Sequence, residues 1–231
     1  MGAGSAEPGF ARPLLAADSL EAARVLIGAR LIREGVDGVR AGKIVEVEAY
    51  IGVDDGASHA RFGRTKRNAR MFGPPGNAYV YLVYGMYHCL NVVTDSEDRP
   101  AALLVRSVQP LEGADLMRRA RTELVELRSG RDIARTARAR QRVIALPDAA
   151  LASGPGLVCA AFSIDRHDDG VDLCDPASPL RLEAAPRGEA PPDLAWGPRI
   201  GIGYAVEPWR SRPWRVWAVG NGSVSGKAAS R

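Results

Sequence analysis

The clearest periodicity in the chain is the alternation over residues 42–51 (GKIVEVEAYI). It predicts a half-buried strand with Val45, Val47 and Ala49 on one face and Glu46, Glu48 and Tyr50 on the other. Upstream, residues 1–12 read as a flexible start. A short helix over 18–28 follows, capped by Asp18 or Ser19 with Leu20, Ala23, Val25 and Leu26 inward, and then a strand or hairpin. Residues 52–77, rich in Gly, Pro, Asp, Asn and Arg, predict a long ordered loop. The β-branched and aromatic run YVYLVYGMYHCLNVVT (79–94) predicts two strands, with Gly85 at a sharp turn or bulge.

Further on, AALLVRSV (101–108) predicts a strand ended by Pro110, followed by a helix over 111–128 and a second over 131–144. The second places Arg131, Arg135, Arg138 and Arg142 along one stripe. LASGPGLVCAAFSI (151–164) reads as a glycine turn entering a helix, and 165–195 as loop. PRIGIGYA (198–205) and WRVWAV (214–219) predict strands, and 220–231 a flexible tail. Strands and helices mix without regular βαβ alternation. The expected fold class is therefore α+β, with a largely antiparallel sheet, in one domain over 13–219.

Composition narrows the class without choosing a function. A chain of 231 residues with 46% apolar and 25% charged residues can bury a sizeable core. No stretch approaches the roughly 20 apolar residues of a membrane span, and the N-terminus has no leader-like pattern, so a soluble protein without a membrane partner is expected. Cys89, Cys159 and Cys174 are an odd, widely spaced set, which argues against a disulfide framework or a cysteine zinc site. The net charge is only +4, but residues 118–142 hold nine arginines against Glu123, Glu126 and Asp132. Residues 56–94 contain no acid and carry Arg61, Arg64, Lys66, Arg67 and Arg70. Two basic surfaces point to a polyanionic partner.

The acid-free stretch also holds Tyr79, Tyr81, Tyr84 and Tyr87, four of the six tyrosines in the chain. Basic charge binds phosphates and aromatic faces stack bases. A core hairpin with inward tyrosines explains the same pattern. Glu48, with Tyr50 on its face and His59 after a short loop, supplies a carboxylate, a stacking surface and a titratable ring. Glu46, Glu48, Asp54 and Asp55 would equally suit a magnesium-dependent nuclease. Ser153-Gly154-Pro155-Gly156 opening a helix is a phosphate cradle or a common turn. The arginine stripe is a DNA contact or a solvated helix face, and His88 and His167 read as structural. A non-catalytic nucleic-acid-binding module stays open beside the two enzymes.

Several blocks taken together resemble the alkyladenine (3-methyladenine) DNA glycosylase family. They are GKIVEVEAY (42–50), ASH (57–59), RTKRNARMFGPPGNAYVYLVYGMYHCLNVV (64–93), the Arg106 strand leading to PLEG (110–113), LASGPG (151–156) and PRIGIGYA (198–205). They run in family order over nearly the whole chain. The resemblance implies a curved sheet flanked by helices and a protruding β-hairpin that enters the DNA minor groove. It implies a monofunctional enzyme of base excision repair, with no cofactor or metal, acting as a monomer on double-stranded DNA containing damaged purines. It implies a cytoplasmic protein, associated with the nucleoid through DNA.

By the same resemblance, Glu48 is the general base, with Arg106 and the His59 region helping to hold the attacking water, and Tyr50, His59, Tyr81 and Asn91 bind the base. Tyr84, Met86, Arg64, Arg67, Gly154 and Gly156 contact DNA. Three features depart from the family pattern, one of them Val53 in place of a commonly seen proline, which is expected to be harmless. The basic segment over about 123–150 is longer, and Leu157 stands where a lysine often follows the glycine turn.

Overall fold

The computed structural model describes residues 9–83, 85–129 and 132–226. Tyr84 and Arg131 therefore lie outside the described residues, as do the ends of the expected flexible termini. Eight strands form one antiparallel sheet: β1 (Arg30–Gly35), β2 (Gly38–Ile51), β3 (Ala78–Val83), β4 (Tyr87–Val93), β5 (Ala101–Glu112), β6 (Leu180–Glu183), β7 (Leu194–Gly197) and β8 (Arg215–Ala218). The helices are α1 (Arg12–Leu15), α2 (Ser19–Leu26), α3 (Ala114–Ser129), α4 (Ile133–Ile144) and α5 (Pro155–Ala161). The α+β expectation is met.

β2 organises the sheet. One edge pairs along almost its whole length with β5, while the other is shared between β1 at residues 38–43 and β8 at residues 46–48. Val45, Val47 and Ala49 enter the core with Leu26, Leu103, Val105 and Phe162. The expected half-buried strand is buried on both faces, because the 198–225 region covers the side carrying Glu46 and Glu48, which have no exposed surface.

Asp18 caps α2, its carboxylate accepting from the Leu20 and Glu21 amides. Ala22 rather than Val25 faces inward, and Val25 is 42% exposed. β5 runs through Pro110 to Glu112 instead of ending before it. A register shift sets Pro110 opposite Gly42, where a bulge accommodates the missing amide. No strand forms over 198–205. Gly201 takes φ +81°, and the backbone there is committed to the side chains of β2. Both termini are packed further than expected. Phe10 is buried and its amide donates to Leu182 O, while Ser223, Val224 and Ser225 are buried because Ser225 donates its amide to Glu46.

Candidate active site

The two glutamates two residues apart on β2 have been given opposite surroundings. Between Glu46/Ser107 and Val47/Val105 the β2–β5 register shifts, leaving Arg106 in a bulge with no residue opposite. A bulge re-aims the side chain it carries. Arg106 thus reaches both carboxylates, Nε to Glu46 Oε1 at 3.0 Å and Nη1 to Glu48 Oε1 at 3.1 Å.

Glu46 is saturated. Oε1 also accepts from Arg215 Nε at 2.7 Å, and Oε2 accepts from the Ser225 amide at 2.7 Å and Ser107 Oγ at 2.9 Å. Burial opposes its charge, but Arg106, Ser225 and Arg215 outweigh burial and hold its pKa below the ordinary carboxylate value. Glu48 has fewer donors. Oε1 accepts from the Ile200 amide at 2.7 Å and is ion-paired with Arg106 Nη1 at 3.1 Å, whereas Oε2, among the described residues, accepts only from the Tyr50 hydroxyl at 2.9 Å. Of the two acceptor positions on Oε2, the described residues leave one unfilled. Here burial prevails over Arg106, and the pKa is raised.

Beside this carboxylate lies an aromatic cleft. Tyr50, His59, Tyr79, Tyr81, Asn91 and Tyr204 line about 330 Å³ of empty space. It continues into a wider groove walled by Arg67, Arg106, Pro155 and Ile200. β3 brings in Tyr79 and Tyr81, whose rings lie 5.3 Å apart, and the single helical turn His59–Phe62 brings in His59. The His59 ring meets Tyr81 edge-on at 4.5 Å and its Nδ1 bonds the Tyr79 hydroxyl at 3.0 Å. Burial, with Arg67 and Arg61, pushes the His59 pKa down, which keeps the ring neutral at pH 7. Asn91, opposite Tyr79 on β4, donates to the Tyr79 carbonyl at 3.0 Å.

Asp55 and Arg199 form a buried bidentate pair at 2.6 and 2.8 Å beneath this wall. Arg199 also donates to Ala49 O and stacks 4.6 Å from the Tyr50 ring centre. The pair fixes the loop that presents the Ile200 amide to Glu48. Of the carboxylates in the magnesium reading, Glu46 accepts from Arg106, Arg215, Ser107 and the Ser225 amide, Asp55 is paired with Arg199, and Asp54 is exposed; no cluster of three metal-binding side chains is found among the described residues.

The outer residues are distributed around the groove. Met86, beside Gly85 at φ +65°, is 52% exposed at the β3–β4 turn. Arg64 is exposed and pairs with Asp98 at 3.1 Å; exposed Arg67 reaches Leu82 O at 3.4 Å. The Gly154 amide donates to Arg106 O, so that donor is already in use. Gly156 is required for packing, since a Cβ there would lie 2.7 Å from the Tyr87 ring.

The methylpurine-DNA glycosylase family model matches residues 14–222. The chain belongs to the methylpurine-DNA glycosylase family. A relative from Methanocella arvoryzae is 42% identical over 210 residues, covering 91% of this chain and 92% of its own length. One from Anaeromyxobacter dehalogenans is 42% identical over 212 residues (91% and 83%), and one from Bacillus cereus 40% over 215 residues (91% and 95%). Each carries the provisional name 3-methyladenine DNA glycosylase. Membership makes the chain a DNA glycosylase, a DNA-repair hydrolase with DNA as its substrate. No described helix is long and apolar enough to cross a membrane.

In this glycosylase Tyr50, His59, Tyr81 and Asn91 line the cleft, Arg106 lines the adjoining groove, and Glu48 is buried behind them, bonded to the Tyr50 hydroxyl and ion-paired with Arg106. Sequence reasoning missed Arg199, the Ile200 amide, Tyr204, Arg215 and Ser225. Arg199 and Tyr204 stand inside the PRIGIGYA block, which was the available signal. Nothing in the local sequence marks Arg215 or Ser225 as partners of Glu46.

Proposed function

We propose that this chain is a monofunctional glycosylase of base excision repair that flips an alkylated or deaminated purine out of duplex DNA and hydrolyses its N-glycosidic bond. The substrates are of the 3-methyladenine, 7-methylguanine and hypoxanthine type. The observation that carries the reading is the unfilled acceptor on Glu48 Oε2 beside an aromatic cleft, two residues from a fully saturated Glu46. Nucleotide binding admits a water to that acceptor. Glu48 takes a proton from the water as its oxygen bonds to C1′, the C1′–N bond breaks, and the base departs with the bonding electrons. The products are a free base and an abasic site.

Arg106 and the Ile200 amide hold Glu48 in place, and the carboxylate stabilises the positive charge that develops on the sugar. Tyr50, His59 and Tyr81 stack on the base. A neutral His59 does not repel the positive charge of a base alkylated on a ring nitrogen, and tyrosine faces attract it. Asn91 crowds the exocyclic amino group of normal guanine, so selection works by exclusion. Tyr84 fills the gap left by the flipped nucleotide, and Met86, exposed at the β3–β4 turn, contacts the DNA. Arg64, Arg67 and the glycine turn at Gly154 and Gly156 face the phosphates, the Gly154 amide itself staying bonded to Arg106 O. Among the described residues no lysine lies near Glu48: Lys43 is paired with Glu189 and Lys66 is exposed. That supports hydrolysis without strand cleavage.

The test uses duplexes containing one alkylated adenine or one hypoxanthine, incubated in chelator and developed with and without alkali. Base release with breaks only after alkali is expected. No release from either lesion by folded protein sinks the reading, and direct scission lost in chelator would mean a nuclease.

A further inference from the structure

α4 carries Arg135, Arg138, Arg140 and Arg142 and no acidic residue. Arg140 pairs with Glu126 at 3.7 Å. Arg135, Arg138 and Arg142 are exposed, follow one another at helical spacing, and make no ion pair among the described residues. Like charges three and four residues apart destabilise a helix, so an uncompensated row of them fits an anionic partner better than it fits the helix itself.

The surroundings of α4 say where that partner lies. α3 packs against α4, and near its C-terminal end the Arg128 guanidinium stacks 3.8 Å from the ring centre of Tyr87, which opens β4 directly after the Gly85–Met86 turn. At its other end, α4 leads through residues 145–150 to Gly154 and Pro155, and Pro155 lines the groove beside Arg106. The helical pair is therefore tied at one end to the hairpin and at the other to the groove wall.

The geometry points to α4 as an extension of the DNA-contact surface, its Arg135, Arg138 and Arg142 engaging backbone phosphates of the duplex that flanks the lesion. This rests on the cleft being the lesion site. The contact is with charge and not with bases, so it adds affinity for any duplex and no sequence preference.

The experiment measures binding of the full chain to an undamaged 30-base-pair duplex over a range of salt concentrations. Each phosphate contact contributes about 0.9 to the slope of log K against log salt. The triple variant Arg135→Gln/Arg138→Gln/Arg142→Gln is expected to lose about 2–3 from that slope, and the corresponding triple lysine variant to keep it. A matched variant, Arg24→Gln/Arg166→Gln/Arg187→Gln, removes three exposed arginines elsewhere and is expected to keep the wild-type slope. An unchanged slope in the α4 variant, with its thermal unfolding intact, overturns the inference, and so does an equal loss in the matched variant. Base release by the wild-type protein tests the lesion-site reading separately: release together with an unchanged α4 slope rejects the α4 contact alone.

Discussion

The Tyr50 hydroxyl donates to Glu48 Oε2 at 2.9 Å, so the residue whose ring lines the cleft is also the only donor to that oxygen among the described residues. This bond favours the ionised carboxylate and restrains the upward push of burial on Glu48. Since the base form is the carboxylate, excision should fall as pH drops through a value above the ordinary 4.5 of a glutamate. Tyr50→Phe keeps the ring and removes the donor, which moves that acid limb to higher pH. Single-turnover excision measured against pH checks it, and an unmoved limb assigns the titration elsewhere.

Glu48→Gln should keep lesion binding while excision drops by about 10²–10⁴, the usual contribution of a positioned general base. Paired measurements of lesion-duplex affinity and single-turnover rate decide this. Full excision by the variant would remove Glu48 from the chemistry.

Glu46→Gln should behave differently. It leaves Arg106 and Arg215 buried beside a neutral amide, a change on the order of 3–5 kcal/mol of lost stability, visible in urea unfolding. Because its folded pKa is depressed, Glu46 contributes stability that is present above pH 4.5 and lost as pH falls through the folded value. Glu48, with a raised pKa, has the opposite sign: its contribution is complete below 4.5 and is lost as pH rises through the elevated value. Unfolding curves of the two Gln variants against pH should therefore diverge in opposite directions from wild type.

Asp55→Ala strands the Arg199 guanidinium without exposed surface, and should also cost about 3–5 kcal/mol. The freed loop no longer holds the Ile200 amide on Glu48. Excision by the fraction that remains folded should therefore fall as well, which a rate normalised to active sites would reveal.

Gly156→Ala places a methyl group 2.7 Å from Tyr87, and overpacking of this kind costs about 1–3 kcal/mol. The strain falls at the start of β4, beside the hairpin turn. A drop in the thermal midpoint with a normal midpoint for Gly203→Ala, whose Cβ would meet nothing within 4 Å and whose φ is not in the left-handed region, would locate the effect in packing.

The chain's own pattern determined a good deal. Alternation over 42–51 put Glu46, Glu48 and Tyr50 on one face, and in the structure Arg106 and the Tyr50 hydroxyl do join them. The β-branched run and Gly85 marked β3 and β4, and the spacing of family-like blocks pointed to DNA glycosylase chemistry. These are short-range properties, set by side-chain period and turn residues within a few positions.

Only the tertiary structure separated Glu46 from Glu48. Their local sequence is the same alternating strand, and what distinguishes them arrives from 60 to 179 residues away: Arg106 turned inward by a bulge, Arg215 and Ser225 closing on Glu46, and the Ile200 amide on Glu48. The 198–205 block alternates like a strand yet forms a loop, because Gly201 at positive φ and the Arg199–Asp55 pair bind it to β2 instead of to a neighbouring strand. A carboxylate's acidity depends on which donors and how much water reach it. Those are set by packing between distant segments, which no local periodicity encodes.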